Sequence, residues 1–214
     1  MKILAVSTSG KSASVAIYID GKISEIIDRS GKTHSETIAV ITKEILNNNS
    51  LSANDIDAFA VDVGPGSFTG VRIGVAFINA LAFATGKKIY SVSSLEALMM
   101  NCKENKSICS LIDARNANGY GALFECGEET IEPTAVVVEK FLYKIPENTV
   151  LVGDGAEKYS DLINNMVKNS TISDDNELSA KGVVEYAVKY KKELLDEVKP
   201  MYLKPSQAER MKVK

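Results

Sequence analysis

Several short stretches of this 214-residue chain hold residue types that could do chemistry. Ser7-Thr8-Ser9-Gly10 sets hydroxyls at the end of the opening apolar run, where they could bond a phosphate or cap a local turn. His34 is the one histidine. Two imidazoles at i and i+4 on a helix suit a metal ion, but the residue four places on is Ile38, so His34 alone cannot build that site. Gly64-Pro65-Gly66-Ser67-Phe68-Thr69-Gly70 sits between an apolar run and a helical pattern, a place where phosphate loops occur. No Lys-Ser/Thr pair follows its last glycine and it is not GxGxxG, so a tight strand-to-helix turn capped by Ser67 or Thr69 is the competing reading. Asp113 is followed by Arg115, a pairing that is more often structural or interfacial than a general base. Gly153-Asp154-Gly155-Ala156 also lies between a strand and a helix, and Gly-Asp-Gly is a common turn. The chain lacks a GxSxG elbow, which leaves nucleophilic hydrolysis without its usual frame. Cys102, Cys109 and Cys126 are widely spaced and odd in number, which fits reduced thiols.

These residues depend on the elements that carry them. Lys2–Ser7, Ser14–Ile19 and Lys22–Asp28 read as strands, the last two joined at Asp20-Gly21, where positive φ is tolerated. Thr33 and Glu36 form a capping box before a helix with Ile38, Ile41, Ile45 and Leu46 on one face. Ala58–Val63 reads as a buried strand, and a helix runs from the glycine turn to about Thr85. Three strands in tight succession, then helix, strand and helix, describe the mixed sheet of a ribonuclease-H-like half. Ser93 and Glu96 make a second capping box, with Leu95, Leu98, Met99 and Cys102 along the helix it opens. Strands are expected at Ser107–Ile112, Gly119–Cys126, Thr134–Val138 and Thr149–Val152, and helices at Ala156–Met166 and Ala180–Leu195. The chain thus divides into an N-terminal half (1–104), a smaller degenerate half (105–200) and a basic tail (201–214).

Composition is that of a globular protein, 45% hydrophobic and 25% charged. A net charge of −3 argues against coating nucleic acid non-specifically. The N-terminus turns polar after six residues, and the apolar stretch Ile73–Ala84 contains Asn79 and is short for a membrane span. A soluble, cytoplasmic protein without membrane contact is the expectation.

The helix after the glycine turn is apolar on nearly all sides, with Arg72 and Asn79 its strongly polar side chains from Val71 to Ala84. Such a helix needs cover on both faces. Ala76, Ala80 and Ala84 recur at i, i+4 and i+8, with Gly70 and Gly74 a turn earlier, and small residues let another helix approach closely. The cover could be the second half of the chain or another subunit.

Gly-Pro-Gly-Ser-Phe-Thr-Gly-Val-Arg-Ile-Gly, residues 64–74, resembles the signature of the bacterial TsaB (YeaZ) family. His34-Ser35-Glu36, Asp113-Ala114-Arg115, Gly153-Asp154-Gly155-Ala156, Pro200-Met201-Tyr202-Leu203 and Ser206-Gln207-Ala208-Glu209-Arg210 agree with it, and the likeness is weakest at 127–148 and 167–199. The resemblance implies two actin-like (ASKHA) half-domains and a part in making N6-threonylcarbamoyladenosine at position 37 of tRNAs that read ANN codons. In that family TsaD performs the transfer, TsaB is its required non-catalytic partner through the N-terminal helices, and TsaE joins as an ATPase. It follows that Gly66, Phe68, Thr69, Arg72, Ile73, Ala76, Phe77, Ala80 and Ala84 are the candidate interface, with homodimerisation through the same helix when TsaD is absent. No cofactor is required of this subunit. Weak ATP or ADP binding is allowed for, with Thr8, Ser9, Gly153, Asp154 and Gly155 as candidate contacts, and tRNA contact would be indirect, through the complex. Related chains often carry Asp where this one has Ser7, which weakens a kinase-like reading. The alternatives are an ATP-dependent phosphotransferase of the same superfamily and a disfavoured glycoprotease-like metal hydrolase.

Overall fold

The computed structural model describes residues 1–103, 107–190 and 193–203. The expected boundary at 104–105 and the basic residues from Lys204 onward lie outside the described residues. The chain opens as a meander of β1 (Lys2–Ser7), β2 (Ala13–Ile19) and β3 (Lys22–Asp28), paired antiparallel. Asp20 and Gly21 take φ of 45° and 93°, as a two-residue hairpin requires. Helix α1 (His34–Asn48) is entered through Thr33, whose N–H donates to Glu36 Oε2 at 2.9 Å, and it buries Ile38, Ile41, Ile45 and Leu46. Strand β4 (Ala58–Asp62), with every residue buried, then joins β1 in parallel. Helix α2 (Phe68–Thr85) carries the chain to β5 (Lys88–Val92), which lies parallel to β4. Strand β5 was not expected from the sequence. Its flanks, Lys88 and the half-buried Ser91, break the apolar run that reveals a central strand.

After α3 (Ser94–Met99) the plan repeats. β6 (Ser107–Asp113), β7 (Asn118–Glu125) and β8 (Glu128–Val137) form a second antiparallel meander. Helix α4 (Val138–Leu142) leads to β9 (Val150–Val152), and β10 (Thr171–Ile172) follows α5 (Asp154–Lys158) and α6 (Ser160–Met166). The sheets run β5-β4-β1-β2-β3 and β10-β9-β6-β7-β8, the same order in each half. Both halves are therefore ribonuclease-H-like, and the second is the reduced one, its last two strands only three and two residues long.

Three expectations are corrected. Strand β8 begins at Glu128 rather than Thr134, because Cys126 and Gly127 (φ 54° and 85°) make a hairpin turn that the sequence, with Cys in the first position, does not announce. The 156–166 helix is two helices broken at Tyr159. Helix α7 (Ala180–Tyr190) stops short of Leu195: Leu194 and Leu195 form strand β11, pairing antiparallel with Tyr90 and Ile89 on the open edge of β5.

The last two elements also cross between halves. Helix α7 packs on α3 and across β1, β2 and β4, its Ala180 N–H donating to the buried Ser14 Oγ at 2.8 Å. Helix α7 and strand β11 thus belong with the first sheet, although they fall in the span expected for the second half. One face of that sheet is covered by α1 and α2 and the other by α7, while α3 packs between α7 and strands β6 and β7 of the second sheet. Among the described helices, α2 is long and apolar enough to cross a membrane, but its Val71, Val75, Ile78 and Ala82 are buried on the first sheet.

Candidate functional site

The glycine turn is held from beneath by the end of β1. Ser67 N–H donates to Ser9 O at 2.8 Å, Ser67 Oγ accepts from Gly70 N–H at 3.2 Å as the cap of α2, and Thr8 Oγ1 donates to Gly70 O at 2.7 Å. A β-carbon on Gly70 would collide with the Thr8 carbonyl oxygen, and one on Gly66 would lie 2.6 Å from Ser9 O. These glycines permit protein backbone, rather than a phosphate, to come close. Asp62, at the end of β4, is fully buried and accepts from Ser7 Oγ, Ser9 Oγ and Ser94 Oγ at 2.6, 2.7 and 2.6 Å.

The five candidate nucleotide contacts do not form one array. Thr8 and Ser9 hydroxyls are buried and donate inward, as above. Gly153 N–H donates to Asn176 Oδ1 at 2.9 Å, and Gly153 and Gly155 both pack under the Leu111 backbone with no room for a side chain. Asp154 Oδ1 accepts from the Asp113 N–H at 3.0 Å. Ser9 and Asp154 line a cleft of about 740 Å³ between the halves, with Lys11, Ser67 and Arg115 on its rim. The hydroxyls and glycines expected to hold a nucleotide are committed to the fold, so the donor set does not fit a phosphate array.

His34 Nε2 lies 3.3 Å from Gly10 O and fastens the start of α1 to the β1–β2 turn. Among the described residues no group of three or more His, Cys, Asp or Glu side chains is placed to hold a metal. Asp113 accepts from Lys158 Nζ at 2.6 Å, Tyr159 OH at 2.9 Å and Arg115 N–H at 3.0 Å. Burial opposes its ionisation, yet these bonds together hold its carboxyl below the ordinary value. A carboxylate so engaged is a poor proton acceptor.

The outer face of α2 is different. Phe68, Thr69, Arg72, Ala76, Ala80 and Ala84 are exposed, and Gly66, Ile73 and Phe77 are half-buried along its flanks. Phe83, absent from the expected set, is 92% exposed; its place one residue before Ala84 was the available signal. Gly70 and Gly74 lie instead on the inner face, against Thr8, so the small residues form two stripes rather than one. No element of the second meander covers this outer face. The segment 198–202 flanks it: Asn79 exchanges hydrogen bonds with the Val198 backbone at 2.9 and 3.0 Å, and Arg72 Nε donates to Tyr202 OH at 2.7 Å. Val40 of α1, 61% exposed, adds a further apolar side chain on the first half.

The family described as TsaD, tRNA N6-adenosine threonylcarbamoyltransferase, matches residues 19–199. The chain is 30% identical to the tRNA threonylcarbamoyladenosine biosynthesis protein TsaB of Haemophilus influenzae, covering 95% of this chain and 94% of that one. It is 31% identical to the Escherichia coli protein of the same name, over 76% of this chain and 75% of the other. A crystal structure of a Pseudomonas aeruginosa protein described as similar to peptidase YeaZ superposes with a TM-score of 0.79 at 21% identity, covering 95% of this chain and 99% of that one. The last likeness speaks to fold alone.

Proposed function

The chain belongs to the TsaB (YeaZ) family of tRNA threonylcarbamoyladenosine biosynthesis proteins, and we propose that it serves that pathway as a non-catalytic partner of TsaD. The observation that carries this reading is the outer face of α2, an apolar helix surface with Phe83 almost wholly in solvent. A helix packed on one side only, and apolar on the other, is a surface made for another chain. TsaD would dock there through its own N-terminal helices, TsaE would join the pair, and two copies of this chain would meet on the same face when TsaD is absent. The transfer chemistry would then belong to TsaD, in keeping with an Asp113 already engaged by three donors and a single His34 bonded to backbone. Nucleotide binding by this chain alone would be weak, since the expected hydroxyls and glycines are spent internally.

Ala76→Glu tests the reading. Mixed with TsaD of the same organism at micromolar concentration, the parent chain should form a complex and Ala76→Glu should not, while the thermal unfolding of the variant stays near the parent's. A complex that survives the glutamate removes α2 as the docking helix. Failure of the parent chain to bind TsaD at all removes the partnership.

A further inference from the structure

Helix α2 carries one charged side chain in 18 residues, Arg72, and no acidic one. Arg72 is exposed and yet held. Its guanidinium carbon lies 3.8 Å from the centroid of the Phe68 ring, its Nε donates to Tyr202 OH at 2.7 Å, and the Phe68 and Tyr202 rings pack with centroids 5.1 Å apart. Stacking and one hydrogen bond fix the plane of the guanidinium and leave its two terminal nitrogens for something else. Among the described residues no carboxylate pairs with it.

What covers this face must deal with that charge. Two copies meeting through α2 make an isologous contact, in which each offers the other the same surface. The α2 surfaces then supply two guanidinium groups and no carboxylate, and burying an unpaired charge is costly. A different chain with Asp or Glu at the matching place would instead gain a bidentate, charge-assisted contact from a group already oriented. We infer that Arg72 is the partner-selecting residue of this face: it donates to a carboxylate on a heterologous apolar helix and makes self-pairing through α2, which forms when that partner is absent, the weaker of the two associations. The inference rests on the proposed docking of TsaD to α2 and adds the chemistry that the docking helix must present.

The full-length chain and TsaD of the same organism supply the test, with hetero- and self-association measured at low and high salt. Arg72→Gln should weaken binding to TsaD by about ten-fold or more at low salt, the size of a partly desolvated charge pair. The gap should narrow at high salt, and self-association should hold or tighten. Arg72→Lys keeps the charge but not the fork, so it should fall between parent and Gln, and it carries the comparison if the Gln variant unfolds. Ala76→Glu serves as the control for docking. If Arg72→Gln binds TsaD like the parent while Ala76→Glu does not, the inference is wrong and the docking reading stands. If both bind, both are wrong. If Arg72→Gln loosens self-association as much as it loosens binding to TsaD, the carboxylate comes from a second copy and the selective role is overturned.

Discussion

Asp62 has no exposed surface, yet it accepts three short hydrogen bonds from Ser7, Ser9 and Ser94 and a fourth from Gly64 N–H at 3.0 Å. A buried carboxylate persists where such donors replace its water. The donors come from β1, the turn after it, the glycine turn and α3, so one side chain gathers the segments from which α2 departs. The hydroxyl of Ser7 at the end of the first strand was visible in the sequence; its counterpart, 55 positions away, was not. Ser7→Asp should therefore be harmful in this chain. It sets a second carboxylate against Asp62 in a site that cannot hold two negative charges. We expect a loss of roughly 3–5 kcal/mol near neutral pH, the scale for an uncompensated buried charge. Urea unfolding of the variant at neutral pH gives the answer, and a variant as stable as the parent would refute the network.

Helix α2 shows how far element-level patterns reach. Its start, length and apolar character were legible because a cap, a glycine turn and a run without charges mark them locally, as hairpin and capping signals mark β1–β3 and α1. The sidedness of its small residues was not. Gly70 and Gly74 repeat at the same interval as Ala76, Ala80 and Ala84, but Gly74 and Ala76 stand about 200° apart around the helix at ~100° per residue. The glycines therefore face Thr8 and the alanines face solvent. The two stripes should respond differently to a single methyl or hydroxyl. Gly70→Ala drives a β-carbon into the Thr8 carbonyl and should cost about 3 kcal/mol or more, through backbone displacement. Ala80→Ser on the outer face should change stability by less than about 0.5 kcal/mol. Denaturant midpoints of the two variants measured side by side decide it; equal effects would mean that the faces are assigned the wrong way round.

At the scale of the whole molecule, the two-sheet plan could be read from the order of elements, while the fastening of one half to the other could not. The links join residues far apart in sequence and leave no local pattern. Residues 173–178 show this best. Asn176 accepts from Gly153 N–H and donates to Ser173 O and Glu157 Oε1, all within the second half. Its neighbour Glu177 accepts from Ser12 Oγ at 2.9 Å and pairs with Arg29, both in the first half. Asn101, after α3, donates to the carbonyls of Asp175 and Glu177. Adjacent side chains thus grip opposite walls of the cleft, and the strap between them sets how far apart the walls stand. Asn176→Ala releases one grip. It leaves Gly153 N–H without its acceptor, a loss of about 1–2 kcal/mol, but it touches none of the buried strands β1, β4 or β6. The opening should therefore be local rather than global. Hydrogen exchange should quicken at residues 173–178 and at Gly153–Gly155, and stay at parental rates through β1 and β4. Unchanged protection along the strap would mean that packing of Leu178 against Gly10, and not these hydrogen bonds, fixes the cleft. Faster exchange throughout the first sheet would mean that the halves unfold as one unit.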